Sequence, residues 1–209
     1  MKTKRMVTCA MMVAIATVLS AIKPFALPFG GGITLVSMMP ICLIAYIYGT
    51  KVGMLSAFVY SIAQMMLDPH VIGAAFLPGE EQMIFGKAVL MCILDYTLAF
   101  TVLGFSGIFK GKLKNDFTSV TLGAILSTTL RYLCHIASGY ILWGSYAQWF
   151  FSQEGFYRIG QSILNIFSGN GLALIYSVFY NGLYMVPEII LTAIITPLVY
   201  QALKKGQVI

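Results

Sequence analysis

Charge is scarce in this chain. Lys and Arg number 13 and Asp and Glu only 7, together 10% of 209 residues. Soluble domains carry roughly a quarter charged residues, so a water-soluble fold is excluded. The four cysteines, Cys9, Cys42, Cys92 and Cys134, all lie in apolar stretches and form no C-x-x-C pair. They read as small packing residues. Ligand-spaced His/Cys/Asp clusters are missing, so no metal is expected. There is also no G-x-x-x-x-G-K-[ST] loop and no dinucleotide fingerprint, so any energy from ATP has to enter through another chain and no cofactor is implied.

What is present is apolar sequence: 59% of residues are hydrophobic. Stretches near membrane-spanning length recur along the whole chain, which predicts an all-α integral membrane protein. Six helices are expected, at roughly 6–22, 33–48, 52–67, 85–108, 118–143 and 173–203, with residues 1–209 forming one membrane domain. The run after Lys2-Thr3-Lys4-Arg5 is long and lacks an A-x-A cleavage site, so it reads as the first span rather than a signal peptide. Nine of the 13 basic residues fall on the side shared by the two termini, which predicts that both termini are cytoplasmic. The net charge of +6 is explained by loops beside an anionic leaflet and needs no nucleic acid. Two long outer connections, 68–84 and 144–172, are expected to cover a pocket in the outer half. The second contains QWFFSQEGFYRIGQSILNIF, which can be written as an amphipathic interfacial helix or hairpin.

Ionisable residues inside spans usually face a cavity or each other. Asp95, His135 with Arg131, and Glu188 stand out. His135, Gly139 and Trp143, spaced by four, make one stripe on the fifth helix, drifting only ~40° per step. Asp95-Tyr96 on the fourth helix and Tyr176, Tyr180, Asn181 and Tyr184 on the sixth fall at similar depth. An acid, an imidazole, an amide and several aromatics suit a flat cationic heteroaromatic ligand: the carboxylate balances charge and aromatic faces attract a cation. Gly139 is read as leaving room for the ring. Arg131 is read as a deeper structural partner for an acid or carbonyl, and Glu188, after Pro187, as packing against a kinked backbone. Trp149 and Tyr140 read as interfacial aromatics.

The chain resembles the thiamine-specific substrate-binding subunit of energy-coupling-factor vitamin importers over nearly its full length. The resemblance rests on AMMVA, TLVSMMPICLIAYIYGTKVG, ILDYTLAFTVLGFSGIF, HIASGYILWGSYA and YSVFYNGLYMVPE, in that order. It implies a six-helix, non-enzymatic subunit of the bacterial cell membrane. Such a subunit captures thiamine near the outer face and is served by a transmembrane coupling subunit and two ATPase subunits. It also implies pocket residues Asp95, Tyr96, His135, Gly139, Trp143, Tyr176 and Asn181. Asp95 balances the thiazolium or contacts the pyrimidine, Trp143 and His135 stack or His135 hydrogen-bonds, and Tyr176 and Asn181 read the pyrimidine edge. Where some members carry a tryptophan in the first connection this chain has PFGGGITL, so either Phe29 stands in for it or the lid works differently. Ala10 and Ala14 match a small-residue stripe for docking the coupling subunit. The alternatives are a stand-alone proton- or cation-coupled thiamine permease and, more remotely, an intramembrane enzyme using Asp95 and His135.

Overall fold

The computed structural model describes residues 2–27, 31–76 and 83–207. Phe29, expected over the pocket, lies outside the described residues, as do Glu80 and Glu81 of the first long connection.

The architecture is helical. α1 (Lys2–Ala21) is followed by a minimal antiparallel hairpin, β1 (Phe25–Ala26) and β2 (Gly32–Ile33), paired Phe25 to Ile33. α2 (Met39–Tyr48) and α3 (Thr50–Leu67) are joined by Gly49 alone. Its φ of 93° is a conformation that a residue with a Cβ rarely adopts, and it turns the chain within one residue. A short α4 (Pro69–Phe76) follows. α5 spans Phe85–Gly107 as one rod of mixed pitch, π-helical over Cys92–Leu98 and 3-10 over Val102–Gly107. α6 (Asp116–Leu142) starts at Asn115, whose side chain accepts from Phe117 N at 2.9 Å and so caps the helix. Two short helices, α7 (Ala147–Phe151) and α8 (Tyr157–Ile166), lead into α9 (Gly169–Lys205).

Four of these, Thr3–Ala21, Phe85–Gly107, Asp116–Leu142 and Gly169–Lys205, are long and apolar enough to cross a membrane. The second helix starts six residues later than the predicted 33. Ile33 is committed to the hairpin, and Val36, at φ 57°, sits in the left-handed region where a β-branched residue is strained. Pro40 falls in the first turn of α2, where its missing N–H has no intrahelical acceptor to lose. The predicted loop 144–172 is largely helical, as α7 and α8.

Three packed regions hold the elements together. Ala16, Met38, Ile41, Ile44, Tyr60, Phe100 and Leu103 join α1, α2, α3 and α5. Val71, Ala74, Met91 and Leu142 join α4, α5 and α6. Phe150, Phe151, Leu172, Tyr176, Tyr180 and Tyr184 pack α7 on the first half of α9. At the Asp116 end, Asp116 accepts from Tyr46 (3.1 Å), Tyr200 (3.5 Å) and Lys204 Nζ (2.6 Å), so one carboxylate ties α2, α6 and α9. The four cysteines are free thiols, Cys9 and Cys42 buried.

Candidate functional site

A cavity of about 600 Å³ opens where α6 ends and α9 begins, walled by α3, α5, α6, α9, the end of α1 and the segment from the hairpin to Ser37. Asp95, Tyr96, His135, Gly139, Trp143, Tyr176 and Asn181 all line it. Its size falls in the range of small-molecule sites.

Asp95 and Tyr96 sit on the π-helical stretch of α5. A π turn carries one more residue than an α turn and re-aims the side chains around it. Asp95 Oδ1 lies 3.0 Å from His135 Nδ1, and Oδ2 accepts from Ser138 Oγ at 2.5 Å. Arg131 Nε lies 3.2 Å from His135 Nε2. A guanidinium only donates, so Nε2 is the unprotonated nitrogen and Nδ1 carries the hydrogen. The relay therefore runs Arg131 to His135 to Asp95 through a neutral imidazole, which leaves the carboxylate's charge unmatched by the ring it touches. Arg131 also rests over Phe100, 4.1 Å from the ring centroid. This corrects the reading of Arg131 as a support below the pocket: it lines the cavity, and its hydrogen bond goes to the imidazole rather than to an acid or carbonyl.

Gly139 has a different role from the one expected. A Cβ there would run into Ser177 Oγ and lie 2.9 Å from Asn181 Nδ2, so the space above it is filled by α9 rather than by a ring. The glycine lets α6 and α9 approach closely. Ser177 Oγ donates to Ile136 O at 2.7 Å across the same contact. Asn181 is a brace: Nδ2 reaches His135 O (3.1 Å) and Ser177 O (2.9 Å), while Oδ1 accepts from Tyr184 at 2.7 Å. Its amide is committed on both sides, which also fixes the backbone carrying the imidazole. Tyr176 is buried among Phe150 and Tyr180, with centroids at 5.3 and 5.6 Å. Tyr96 OH donates to Asp68 Oδ2 at 2.8 Å.

Glu188 is buried, and its hydrogen bonds go beyond its own helix. Its Oε1 accepts from both Thr34 N (2.5 Å) and Thr34 Oγ1 (2.6 Å), 154 residues away in sequence. Sequence reasoning missed Ser138 as the second partner of Asp95, and Thr34, Ser37, Tyr60 and Phe100 as cavity residues. Ser138 follows His135 by three and was findable on the same helix face. Phe100 follows Tyr96 by four on α5, whereas Thr34, Ser37 and Tyr60 depend on how α3 and the turn before α2 pack. Ala10 and Ala14 are exposed on α1 and stand apart from the cavity.

Apolar helices of membrane-spanning length around an aromatic cavity with one relayed carboxylate define a helical membrane protein with an internal small-molecule site. Residues 6–153 match the sequence profile of the thiamine transporter protein family (Thia_YuaJ), and the chain belongs to that family. It is 26% identical over 208 residues to the thiamine transporter ThiT of Bacillus subtilis, covering 94% of this chain and 90% of that one. Its fold is similar to that of ThiT from Listeria monocytogenes, with TM-score 0.68 and 22% identity over 98% of this chain and 97% of that one. It is also similar to the S component of a bacterial ECF transporter, with TM-score 0.55 and 20% identity over 99% of both chains.

Proposed function

We propose that the protein is the thiamine-binding membrane subunit of an energy-coupling-factor importer, non-enzymatic by itself. In this reading α2 and α3 complete six spans, both termini are cytoplasmic, and the cavity faces outward. The observation that carries it is the Asp95–His135–Arg131 relay in an aromatic cavity, in a chain of the thiamine transporter family. Asp95 supplies the counter-charge for the thiazolium. Trp143, Tyr176 and Tyr184 offer ring faces for stacking and for attraction to the cation. The neutral His135, with its Nδ1–H spent on Asp95, orients that carboxylate. Exposed Ala10 and Ala14 on α1 are the surface on which a transmembrane coupling subunit docks, small residues permitting close helix approach; ATPase subunits then supply the energy.

Identification of the small molecule that co-purifies with the detergent-solubilised protein tests this reading. Thiamine is the expected compound by mass spectrometry. A different compound, or a protein that neither carries nor takes up thiamine in a binding assay, would overturn the reading.

A further inference from the structure

The tyrosines of α9 that line the cavity follow each other by four, Tyr176, Tyr180 and Tyr184, and the next residue on that stripe is Glu188. Glu188 itself does not line the cavity. Instead both donors of Thr34, backbone N–H and hydroxyl, converge on its Oε1, while its buried Oε2 has no hydrogen-bond partner among the described residues. Thr34 and its neighbours Gly31, Gly32 and Ser37 do line the cavity.

Thr34 is also the hub of its own turn. Its hydroxyl pairs with Ser37 Oγ at 2.8 Å and accepts from Ser37 N at 3.3 Å, and its carbonyl accepts from Val36 N at 2.8 Å. Val36, inside this turn, holds the strained left-handed conformation, which persists only where the surroundings over-determine it. On the other side, Gly31 lies so close to the Tyr184 ring that a Cβ would come within 2.9 Å of it. The 31–37 segment is therefore seated on α9 at two places: Gly31 and Ile33 lie against the tyrosines, with Tyr180 bonded to the Gly31 backbone, and Thr34 is held by the Glu188 carboxyl.

We infer that Glu188 is the positioning residue of this cavity wall: through Thr34 it fixes residues 31–37 on α9, and so sets how long a ligand is retained without touching it. A hydrogen bond to a carboxylate is stronger than one between neutral groups, and both bonds fall on the same anchor. Losing the anchor frees the strained turn to relax away from Tyr184. The rate of ligand escape then rises, while the rest of the cavity, built on α5, α6 and α9, stays assembled.

Two measurements on the full-length protein test this. Hydrogen exchange without ligand reads the anchor directly, and stopped-flow Trp fluorescence reads thiamine association and dissociation. In Glu188→Gln and in Thr34→Val, exchange in peptides covering 31–37 accelerates by about tenfold or more, as expected for loss of a carboxylate hydrogen bond. Peptides of α6 stay unchanged. Thiamine dissociation quickens by a similar factor with association altered less than about twofold. Thr34→Ser, which keeps the hydroxyl, retains the parent rates, and the double variant is no worse than Glu188→Gln alone. Unchanged exchange at 31–37 in both single variants, or additive effects in the double, overturns the inference. If Glu188→Gln does not fold, the Thr34 pair decides the matter alone. The thiamine arm rests on the function proposed above and the exchange arm does not: a wild-type protein that fails to bind thiamine removes that function and leaves the anchor to be judged by exchange.

Discussion

Asp95 is bonded on both oxygens by neutral donors, Ser138 and the Nδ1–H of His135, so its negative charge is oriented and left available. Asp95→Asn keeps the shape and the Ser138 bond but removes the counter-charge. Thiamine affinity measured by isothermal titration calorimetry is expected to fall by about 100-fold, since charged hydrogen-bond partners in desolvated sites are worth more than neutral ones. The melting temperature should change little. Asn181→Ala contrasts with it. That side chain ties His135 O, Ser177 and Tyr184 together, so its loss leaves buried groups unpaired at a cost of about 1–3 kcal/mol. A fall in thermal midpoint of roughly 2–12 °C is expected in ligand-free protein, together with weaker binding. A variant that binds poorly at full stability would make Asn181 a ligand contact instead of a brace.

Between helices, the α6–α9 seam is the element that positions the site. Gly139 is its narrowest point, and Gly139→Ala places a methyl against Ser177 and Asn181. Overpacking of this kind costs about 1–3 kcal/mol, to be read as a lowered thermal midpoint. Gly139→Ala combined with Ser177→Gly should recover much of the loss. Recovery would show that the glycine serves helix contact and not ring stacking. Much of this level was legible in the sequence. The four-residue spacing put His135, Gly139 and Trp143 on one face, and Asp95 and Asn181 at matching depth, because a helix maps spacing directly onto direction. The start of α2 was not legible. The run TLVSMM is apolar enough to read as helix, and only the tertiary bonds of Thr34 to Glu188 show that it belongs to a turned wall. The π stretch that carries Asp95 has no signature in composition, because it depends on how α5 packs on α3 and α6. The same limit hid the true partner of Glu188: nothing local links two residues separated by most of the chain.

At the scale of the whole molecule, the docking surface proposed on α1 lies apart from the proposed ligand cavity. Ala10 and Ala14 are exposed on α1, away from the cavity. Ala10→Leu with Ala14→Leu keeps α1 apolar but blocks close helix approach. Thiamine binding by the purified protein is expected to persist, while thiamine uptake by cells that also make the coupling-factor subunits falls by about tenfold or more. Undiminished uptake would move the docking surface elsewhere or favour a stand-alone permease. The length of α9 bears on the same arrangement. Its 37 residues measure ~55 Å at 1.5 Å per residue, against ~30 Å of hydrocarbon. Tilt absorbs part of the surplus, and the remainder stands like a mooring post among headgroups and water. Tyr176 is only about two turns from the Gly169 tip of that post. In the orientation proposed above, a hydrated cation arriving from that side has a short climb to its berth and never has to cross the oily interior.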